Sequence, residues 1–184
     1  MGVNHEVGRT GSPQVSPSID LHRAYAPASV RCAVLTISDT RTEETDDGGR
    51  LIRERLEGAG HEVVEGRILP DEAGLIRAAV ASWVADDRIQ AILSTGGTGI
   101  AGRDTTYEAL AGALDKRIDG FGELFRMLSF AEVGPAAMLS RAVGGIAGRT
   151  VVLAMPGSPN AVALAMDRLV LPELGHLVGE ASRG

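Results

Sequence analysis

The stretch Q-A-I-L-S-T-G-G-T-G, residues Gln90 to Gly99, decides the fold class because a short apolar run leads directly into a glycine loop. Its first half, Gln90–Ser94, predicts a buried strand. Two similar runs come earlier in the chain, and each is followed by apolar residues at helical spacing: strands Cys32–Ile37 and Val63–Leu69, helices Gly49–Ala59 and Ala73–Ala85. This alternation predicts a parallel sheet with helices on both faces, the α/β class.

The second half of the chain predicts an antiparallel addition to this sheet. Arg141–Ile146 and Thr150–Ala154 are apolar runs separated by Ala147-Gly148-Arg149, a spacing that suits a β-hairpin. Three further segments have helical periodicity, and helices are therefore expected after Thr105, over Gly120–Phe130 and over Ala161–Leu171. We therefore expect a mostly parallel sheet with one hairpin.

The composition bounds the class of protein. The chain has 184 residues, 44% of them hydrophobic, and a net charge of −6, which predicts one globular domain and argues against a broad surface for nucleic acid. Residues 1–28, rich in Gly, Ser and Pro, predict a flexible N-terminal tail before a domain over residues 29–184. No apolar run approaches the roughly 20 residues of a membrane span. We expect a cytoplasmic protein without membrane contact.

The glycine loop Thr95–Gly99 is the first candidate site. Three of its residues, Gly96, Gly97 and Gly99, lack a side chain, so the amide N–H groups can converge on an anion. In parallel sheets, ligands bind beyond the carboxyl ends of the strands, where this loop is expected to lie. The loop therefore predicts a phosphate-binding site, the alternative being a glycine turn without a ligand.

Two acidic residues are further candidates. Asp71, in Pro70-Asp71-Glu72, follows a predicted strand, and Asp104 follows the glycine loop, directly after Arg103. A carboxylate beside a bound phosphate is favourable only with a cation between them. Mg²⁺ is commonly held by one or two carboxylates together with substrate phosphates. The pair predicts a magnesium and phosphate site, and the alternative is that each aspartate caps the helix that follows it.

Other chemistries find no support in the sequence. The four histidines have no metal-ligand spacing, and no G-x-S-x-G motif precedes a helix. Cys32, the single cysteine, begins a buried strand, which favours a structural role and excludes an internal disulfide. Lys116 is the only lysine, so arginines must supply positive charge to an anionic ligand.

Six ordered motifs resemble the molybdenum cofactor biosynthesis family of MoaB and MogA proteins: Leu35–Asp39, Pro70–Glu72, Thr95–Gly99, Arg103-Asp104 with Glu108-Ala109, Met138–Arg141 and Met155–Ala161. The resemblance extends from about Val30 to the C-terminal helix. It is closer to the MoaB branch, because Asp119–Phe130 is similar to the long central helix of that branch.

The resemblance implies a three-layer α/β/α sandwich, the molybdopterin-binding fold, assembled as a homotrimer or a homohexamer. It also implies Mg²⁺-dependent transfer of AMP from ATP to molybdopterin, which gives adenylyl-molybdopterin and pyrophosphate. The product would pass to the enzyme that inserts molybdate, which the resemblance implies as a partner. The alternative is a non-catalytic protein of the same pathway that binds molybdopterin and delivers it.

The resemblance also assigns roles to positions in this chain. Asp71 and Asp104 match the acidic positions tied to catalysis and the metal, and the glycine loop with Arg103 matches the nucleotide-phosphate site. The substrate-binding positions are Ser38, Asp39, Ser140, Arg141, Pro156, Gly157, Ser158 and Asn160. Among them, Arg141 could clamp the terminal phosphate of molybdopterin, the alternative being a surface arginine on the hairpin.

Two departures from the family pattern matter. The family often has proline where this chain has Tyr107, and we expect this exchange to cost little because such a proline begins a helix. The segment Asp46–Gly49 differs from the usual Asp-x-Ser-Gly form, which leaves contacts from that side open. Asp71, in contrast, is retained, and this favours an active enzyme.

Overall fold

A computed structural model describes residues 26–183, and within them a six-stranded sheet lies between two layers of helices. The strands are β1 (Arg31–Ile37), β2 (Glu62–Leu69), β3 (Ala91–Thr95), β4 (Lys116–Arg117), β5 (Val143–Ala147) and β6 (Thr150–Met155). Their order in the sheet is β2-β1-β3-β6-β5-β4. Neighbours among β2, β1, β3 and β6 are parallel, whereas β5 is antiparallel to both β6 and β4.

The helices are α1 (Asp47–Gly58), α2 (Ala73–Val84), α3 (Thr106–Ala111), α4 (Asp119–Val133), α5 (Pro159–Ala165) and α6 (Leu171–Ala181). A 3₁₀ segment, Gly134–Leu139, follows α4, and a π-helical turn, Met166–Val170, joins α5 to α6. The predicted strands and helices are confirmed, with bounds that differ by a few residues except at the C-terminal end. There the helix predicted over Ala161–Leu171 covers α5 and the π-helical turn, whereas α6, which continues to Ala181, was not predicted. The two-residue strand β4 and the 3₁₀ segment were not predicted.

Alternating side chains along the strands separate the core into two apolar layers. Val34 of β1 and Leu93 of β3 pack on the face covered by α1, α4, α5 and α6. Leu35 and Ile92, each one residue away from these, pack on the face covered by α2 and α3, around the buried Trp83. Because side chains point alternately to opposite faces of a strand, both faces are buried. The expected three-layer α/β/α architecture is confirmed.

The strand order also locates a crevice. The chain leaves β1 for α1 on one face of the sheet, whereas it leaves β3 for α3 on the other face, and β1 and β3 are neighbours. In open α/β sheets, ligands bind at the carboxyl ends of two such strands. The glycine loop follows β3 at this position.

Two predictions concern the ends of the chain and the membrane. Residues 1–25 of the predicted tail lie outside the described part of the chain, so the boundary after residue 28 stays a prediction. No helix within residues 26–183 combines the length and the apolar character needed to cross a bilayer.

Candidate functional site

The backbone of the glycine loop requires glycine at its centre. Gly96 and Gly97 have φ angles of +93° and +63°, in the region that other residues avoid. A Cβ on Gly96 would lie 2.2 Å from the carbonyl oxygen of Ile37, and one on Gly97 would lie 2.0 Å from Oγ1 of Thr106. The loop therefore packs its bare backbone against the end of β1 and the start of α3.

The loop leaves a run of amide groups without partners. The N–H of Gly96 donates to the carbonyl of Met155 at 3.2 Å, and Oγ1 of Thr95 donates to the carbonyl of Pro156 at 3.1 Å. The next four N–H groups, those of residues 97–100, have no acceptor among the described residues. Consecutive free N–H groups form a concavity that attracts anions. This geometry fits the predicted phosphate site.

The Asp71 side chain lies against this loop and does not cap the start of α2, the helix that follows it. Its Oδ1 accepts hydrogen bonds from the backbone N–H of Thr105 at 3.1 Å, the Thr105 hydroxyl at 2.9 Å and the Thr106 hydroxyl at 3.1 Å. Glu72 occupies the N-cap of α2, without a side-chain cap bond. The capping alternative for Asp71 is thus absent from the structure.

The second carboxylate oxygen of Asp71 is available for another interaction. Oδ2 is buried and has no hydrogen-bond partner among the described residues. A Cβ on Gly97 would lie 2.6 Å from it, so this oxygen adjoins the glycine loop. Because a buried unpartnered carboxylate oxygen is costly, the site suits a cation.

Asp104 holds the other end of the same loop. Its Oδ2 accepts from the N–H of Ala101 at 2.9 Å, and a Cβ on Gly99 would lie 2.3 Å from this oxygen. Thr105, not Asp104, is the N-cap residue of α3. Asp71 and Asp104 therefore both adjoin the glycine loop, one beside Gly97 and the other beside Gly99.

The carboxylates at this site are too few to form a complete metal cage. Within the described part of the chain, no three His, Cys, Asp or Glu side chains gather where they could hold a metal ion. Mg²⁺ keeps several waters and takes phosphate oxygens as ligands, so two carboxylates can suffice. Asp71 and Asp104 fit such an ion, whose remaining ligands would come from substrate and water.

Asp39 and Arg103 connect the loops that follow β1, β2 and β3. Oδ1 of Asp39 accepts from the backbone N–H of Asp71 at 3.1 Å, and its Oδ2 lies 3.4 Å from Nη1 of Arg103. The Arg103 side chain is 78% exposed, and an exposed ion pair contributes little stability. Asp39 therefore orders the site, and Arg103 can exchange its partner for a phosphate at small cost. Ser38 orders its own loop, since its Oγ accepts from the N–H groups of Thr40 and Arg41.

A polar crevice of about 110 Å³ lies at the carboxyl ends of β1, β3 and β6. Its lining includes Ser38, Arg41, Gly48, Gly96 and Gly157. Two of these glycines allow close contact between loops, because a Cβ on Gly157 would lie 3.1 Å from Cα of Gly96. The crevice meets the glycine loop at Gly96.

Two residues of the predicted substrate segment Pro156–Asn160, Gly157 and Pro159, line this crevice, and the segment leads into α5. The hydroxyl oxygen of Ser158 accepts from the N–H of Ala161 at 3.3 Å and so caps α5. Asn160 is exposed in the first turn of that helix. Gly157 thus lines the crevice, Ser158 has a structural contact, and Asn160 remains accessible to a ligand.

Arg141 is committed to contacts within the protein. Its Nε donates to the carbonyl of Thr98 at 2.9 Å, Nη2 donates to the carbonyl of Gly99, and Nη1 donates to Glu108 at 2.5 Å. The side chain is only 23% exposed, which differs from the alternative of a free surface arginine. In this arrangement it holds the glycine loop, and the phosphate clamp stays a prediction. Ser140, half-buried, precedes it at the end of the 3₁₀ segment.

Sequence reasoning missed the role of Asp46. The residue is 2% exposed, and its carboxylate accepts from the Thr36 hydroxyl and from the N–H of Gly49, both at 2.8 Å. Arg53 lies 3.5 Å away. An aspartate just before a helix is an N-cap signal that could have found the contact with Gly49. Asp46 fixes α1 beside the crevice.

The comparisons with known proteins agree with this geometry. The model of the family described as "Probable molybdopterin binding domain" matches residues 33–176, most of the chain. The chain belongs to this family. The matched range contains the glycine loop, both aspartates and the crevice.

Curated relatives carry one name in several bacteria. The molybdenum cofactor biosynthesis protein B of Bacillus cereus is 52% identical over 167 residues, which cover 90% of this chain and 99% of the relative. The protein of the same name from Escherichia coli K12 is 44% identical, over 78% of this chain and 85% of the relative.

Solved structures show the same fold. A crystal structure of a molybdenum cofactor biosynthesis protein B has a TM-score of 0.84 at 53% identity, and covers 86% of this chain and 99% of its own. The tungsten cofactor synthesizing protein MoaB from Pyrococcus furiosus has a TM-score of 0.76 at 35% identity, over 85% and 99% of the two chains. A MogA structure follows with a TM-score of 0.75 at 30% identity, over 82% and 99%.

Proposed function

We propose that this protein acts in molybdenum cofactor biosynthesis by transferring AMP from ATP to molybdopterin, with release of pyrophosphate. The role in molybdenum cofactor biosynthesis rests on the family match and on the curated relatives. The transfer itself rests chiefly on one observation: four free amide groups lie beside two carboxylates at the end of β3.

The proposed reaction needs no nucleophilic side chain. An oxygen of the terminal phosphate of molybdopterin attacks the α-phosphorus of ATP, and the bond from that phosphorus to the bridging oxygen of the β-phosphate breaks. The phosphate is already anionic near neutral pH, so no base must remove a proton from it. The protein has to align two polyanions and offset their charge, which is the main task in phosphoryl transfer.

The glycine loop would bind the phosphates of ATP. Its free N–H groups at residues 97–100 supply fixed dipoles, and Arg103 supplies a mobile positive charge. A Cβ on Gly97 would lie 2.6 Å from Oδ2 of Asp71, so a side chain at this position would disturb the space between the loop and the carboxylate. These groups position ATP without themselves reacting.

Asp71 and Asp104 would hold the magnesium ion. Mg²⁺ bound to phosphate oxygens offsets the charge that builds up on the departing pyrophosphate. Two groups would serve as ligands. One is the unpartnered Oδ2 of Asp71, and the other is the Asp104 carboxylate, which accepts a hydrogen bond from the N–H of Ala101.

The crevice beside the glycine loop would accept molybdopterin. It is lined by hydroxyl, carboxylate and guanidinium groups, among them Ser38 and Arg41, which suit a polar pterin with a phosphate. Because the crevice meets the loop at Gly96, a ligand in it has direct access to a nucleotide on the loop. The segment Pro156–Asn160, of which Gly157 and Pro159 line the crevice, would complete this side.

The expected homo-oligomer would use an apolar surface on α4 and on the 3₁₀ segment that follows it. Six of the eight large apolar side chains exposed among residues 26–183 lie between positions 124 and 139: Leu124, Met127, Phe130, Val133, Met138 and Leu139. Contiguous exposed apolar patches of this kind mark interaction surfaces. We propose that this surface, the α4 patch, lies between subunits.

The decisive experiment measures AMP transfer by the purified protein from ATP labelled on the α-phosphate to molybdopterin, with and without magnesium. We expect adenylyl-molybdopterin and pyrophosphate in equal amounts, and none without the metal. Asp104→Asn should abolish transfer while the protein stays folded. Asp71→Asn should do so as well but with some loss of stability, since Asp71 accepts three hydrogen bonds.

Asp167→Asn is the matched control, because it removes one carboxylate charge from an exposed pair with Arg55 outside the site. Full transfer by both Asp71→Asn and Asp104→Asn would contradict the metal assignment. A different result would support the alternative of a non-catalytic protein that binds molybdopterin. In that case molybdopterin would bind tightly without AMP transfer, and neither ATP nor Asp104→Asn would change its affinity.

A further inference from the structure

Arg141 joins the glycine loop to α3 through a fixed set of contacts. Its guanidinium donates to the carbonyl oxygens of two successive loop residues, Thr98 and Gly99, and on its other side to the carboxylate of Glu108. The neighbouring guanidinium lowers the pKa of Glu108, mainly through this hydrogen bond, so the carboxylate stays charged. The guanidinium thus links the glycine loop to α3, although Arg141 lies more than 30 residues further along the chain than its partners in both.

These contacts fix the direction of two amide groups. In a planar trans peptide, the C=O of one residue and the N–H of the next point in opposite directions. Because the carbonyls of Thr98 and Gly99 point toward Arg141, the N–H groups of Gly99 and Ile100 point away from it. These are two of the four N–H groups that have no acceptor among the described residues.

Tyr107 lies under this guanidinium. The Cζ atom of Arg141 is 4.6 Å from the centroid of the Tyr107 ring, within the range of a cation–π contact. The tyrosine is itself held, since its hydroxyl accepts from Nη2 of Arg117 at 3.4 Å and Arg117 pairs with Asp119 at 3.1 Å. Because the ring is held in this way, it restricts the orientation of the guanidinium to one in which Arg141 donates to both loop carbonyls.

We propose that Tyr107 is a positioning residue of the anion site: its ring holds the Arg141 guanidinium, which turns the Gly99 and Ile100 amides toward bound phosphate. The proposal rests on the proposed function of the glycine loop, but it concerns a residue outside that loop, one that acts through Arg141. It predicts that loss of the ring weakens phosphate binding without removing any group that contacts phosphate.

The first test measures binding of inorganic tripolyphosphate with magnesium by isothermal titration calorimetry. Tyr107→Leu should weaken binding by about fivefold, the change expected on losing one half-buried cation–π contact. Tyr107→Phe, which keeps the ring and loses only the hydroxyl, should restore affinity to within about twofold of wild type. Thermal unfolding of each variant checks that both remain folded at the temperature of the titration.

A second readout follows Arg141 itself. Its Nε–H donates to the Thr98 carbonyl at 2.9 Å, so the Nε–H signal in the NMR spectrum should exchange slowly with solvent in the wild type and in Tyr107→Phe. In Tyr107→Leu it should exchange faster. A merely structural role of Tyr107 would lower the melting temperature without this local change.

The proposal is overturned if Tyr107→Leu binds tripolyphosphate as wild type does, if its Arg141 Nε–H stays protected, or if Tyr107→Phe fails to restore both properties. It is also overturned if the wild-type protein does not bind tripolyphosphate. Failure of the proposed function gives a different result, in which the wild type binds tripolyphosphate but transfers no AMP to molybdopterin.

Discussion

Replacement of Gly97 by alanine tests whether the shape of the glycine loop, rather than its sequence alone, makes the site. Gly97 has a φ angle of +63°, and an alanine forced into this conformation costs about 1–2 kcal/mol. The added Cβ would also lie 2.0 Å from Oγ1 of Thr106 and 2.6 Å from Oδ2 of Asp71. The hydrogen bond from Thr106 to Asp71 would therefore have to shift, which adds to the cost.

The expected result is a measurable loss of both stability and binding. For a protein of this size, about 1–2 kcal/mol corresponds to a fall of roughly 2–8 °C in melting temperature. Differential scanning calorimetry measures this fall, and isothermal titration with tripolyphosphate and magnesium measures the binding. We expect little detectable binding in Gly97→Ala, because the shift displaces both the free amides and the Asp71 carboxylate.

Gly74→Ala is the matched control, since Gly74 lies in α2 and a Cβ there meets no atom within 4 Å. Alanine in such a helical position should stabilise the protein by about 0.5–1 kcal/mol and leave binding unchanged. If Gly97→Ala melted and bound tripolyphosphate as wild type does, the reasoning about the loop would be refuted.

Three further predictions concern other parts of the molecule. Burial lowers the pKa of His61, whose Nδ1 accepts from the N–H of Val30 at 3.2 Å. The contribution of neutral His61 to the free energy of unfolding should therefore be fully present above the ordinary pKa of about 6.5 and decrease as the pH falls below that value. Urea unfolding at several pH values checks this, and His61→Gln should flatten that part of the profile; an unchanged profile would contradict it. Burial raises the pKa of Cys32 to about 12, so a thiol reagent near neutral pH should label the protein only after denaturation, and labelling of the native protein would refute this. Phe130→Glu, which places a charge in the α4 patch, should convert oligomer to monomer in sedimentation velocity, whereas Leu75→Glu, at an exposed position on α2, should not; a wild-type monomer would exclude the assembly.

The sequence predicted the parallel sheet because its signals are local. Cys32–Ile37 and the strand before the glycine loop are short apolar runs, and both helices between them have regular apolar spacing. Strand β4 escaped prediction because its two residues, Lys116 and Arg117, are exposed and carry no apolar pattern. It forms only through pairing with β5, a contact that depends on the complete fold.

The candidate site was predicted in part, for a similar reason. The glycine loop and the two aspartates were identified from residue types and from their place after strands, and the structure brings them together. The partners of Asp71 lie more than 30 residues away, at Thr105 and Thr106, and no local pattern reveals them. The same holds for Arg141, whose contacts with the loop carbonyls show a bracing role that the predicted phosphate clamp did not include.

Tyr107 makes a contact that the comparison with a family pattern did not predict. Where the family often has proline, the exchange to tyrosine was expected to matter little for the start of α3. In the structure the ring instead contacts the Arg141 guanidinium, which is 34 positions further along the chain. Helix-start reasoning considers only the backbone and could not anticipate this side-chain contact.

The most direct test of the account is a crystal structure of the protein with magnesium and a non-hydrolysable ATP analogue. We predict density for the triphosphate against the amide groups of residues 97–100, with the metal ion between the phosphates and the carboxylates of Asp71 and Asp104. Density that places the nucleotide elsewhere, with both carboxylates away from any metal, would contradict the proposed chemistry and leave only the family and the fold.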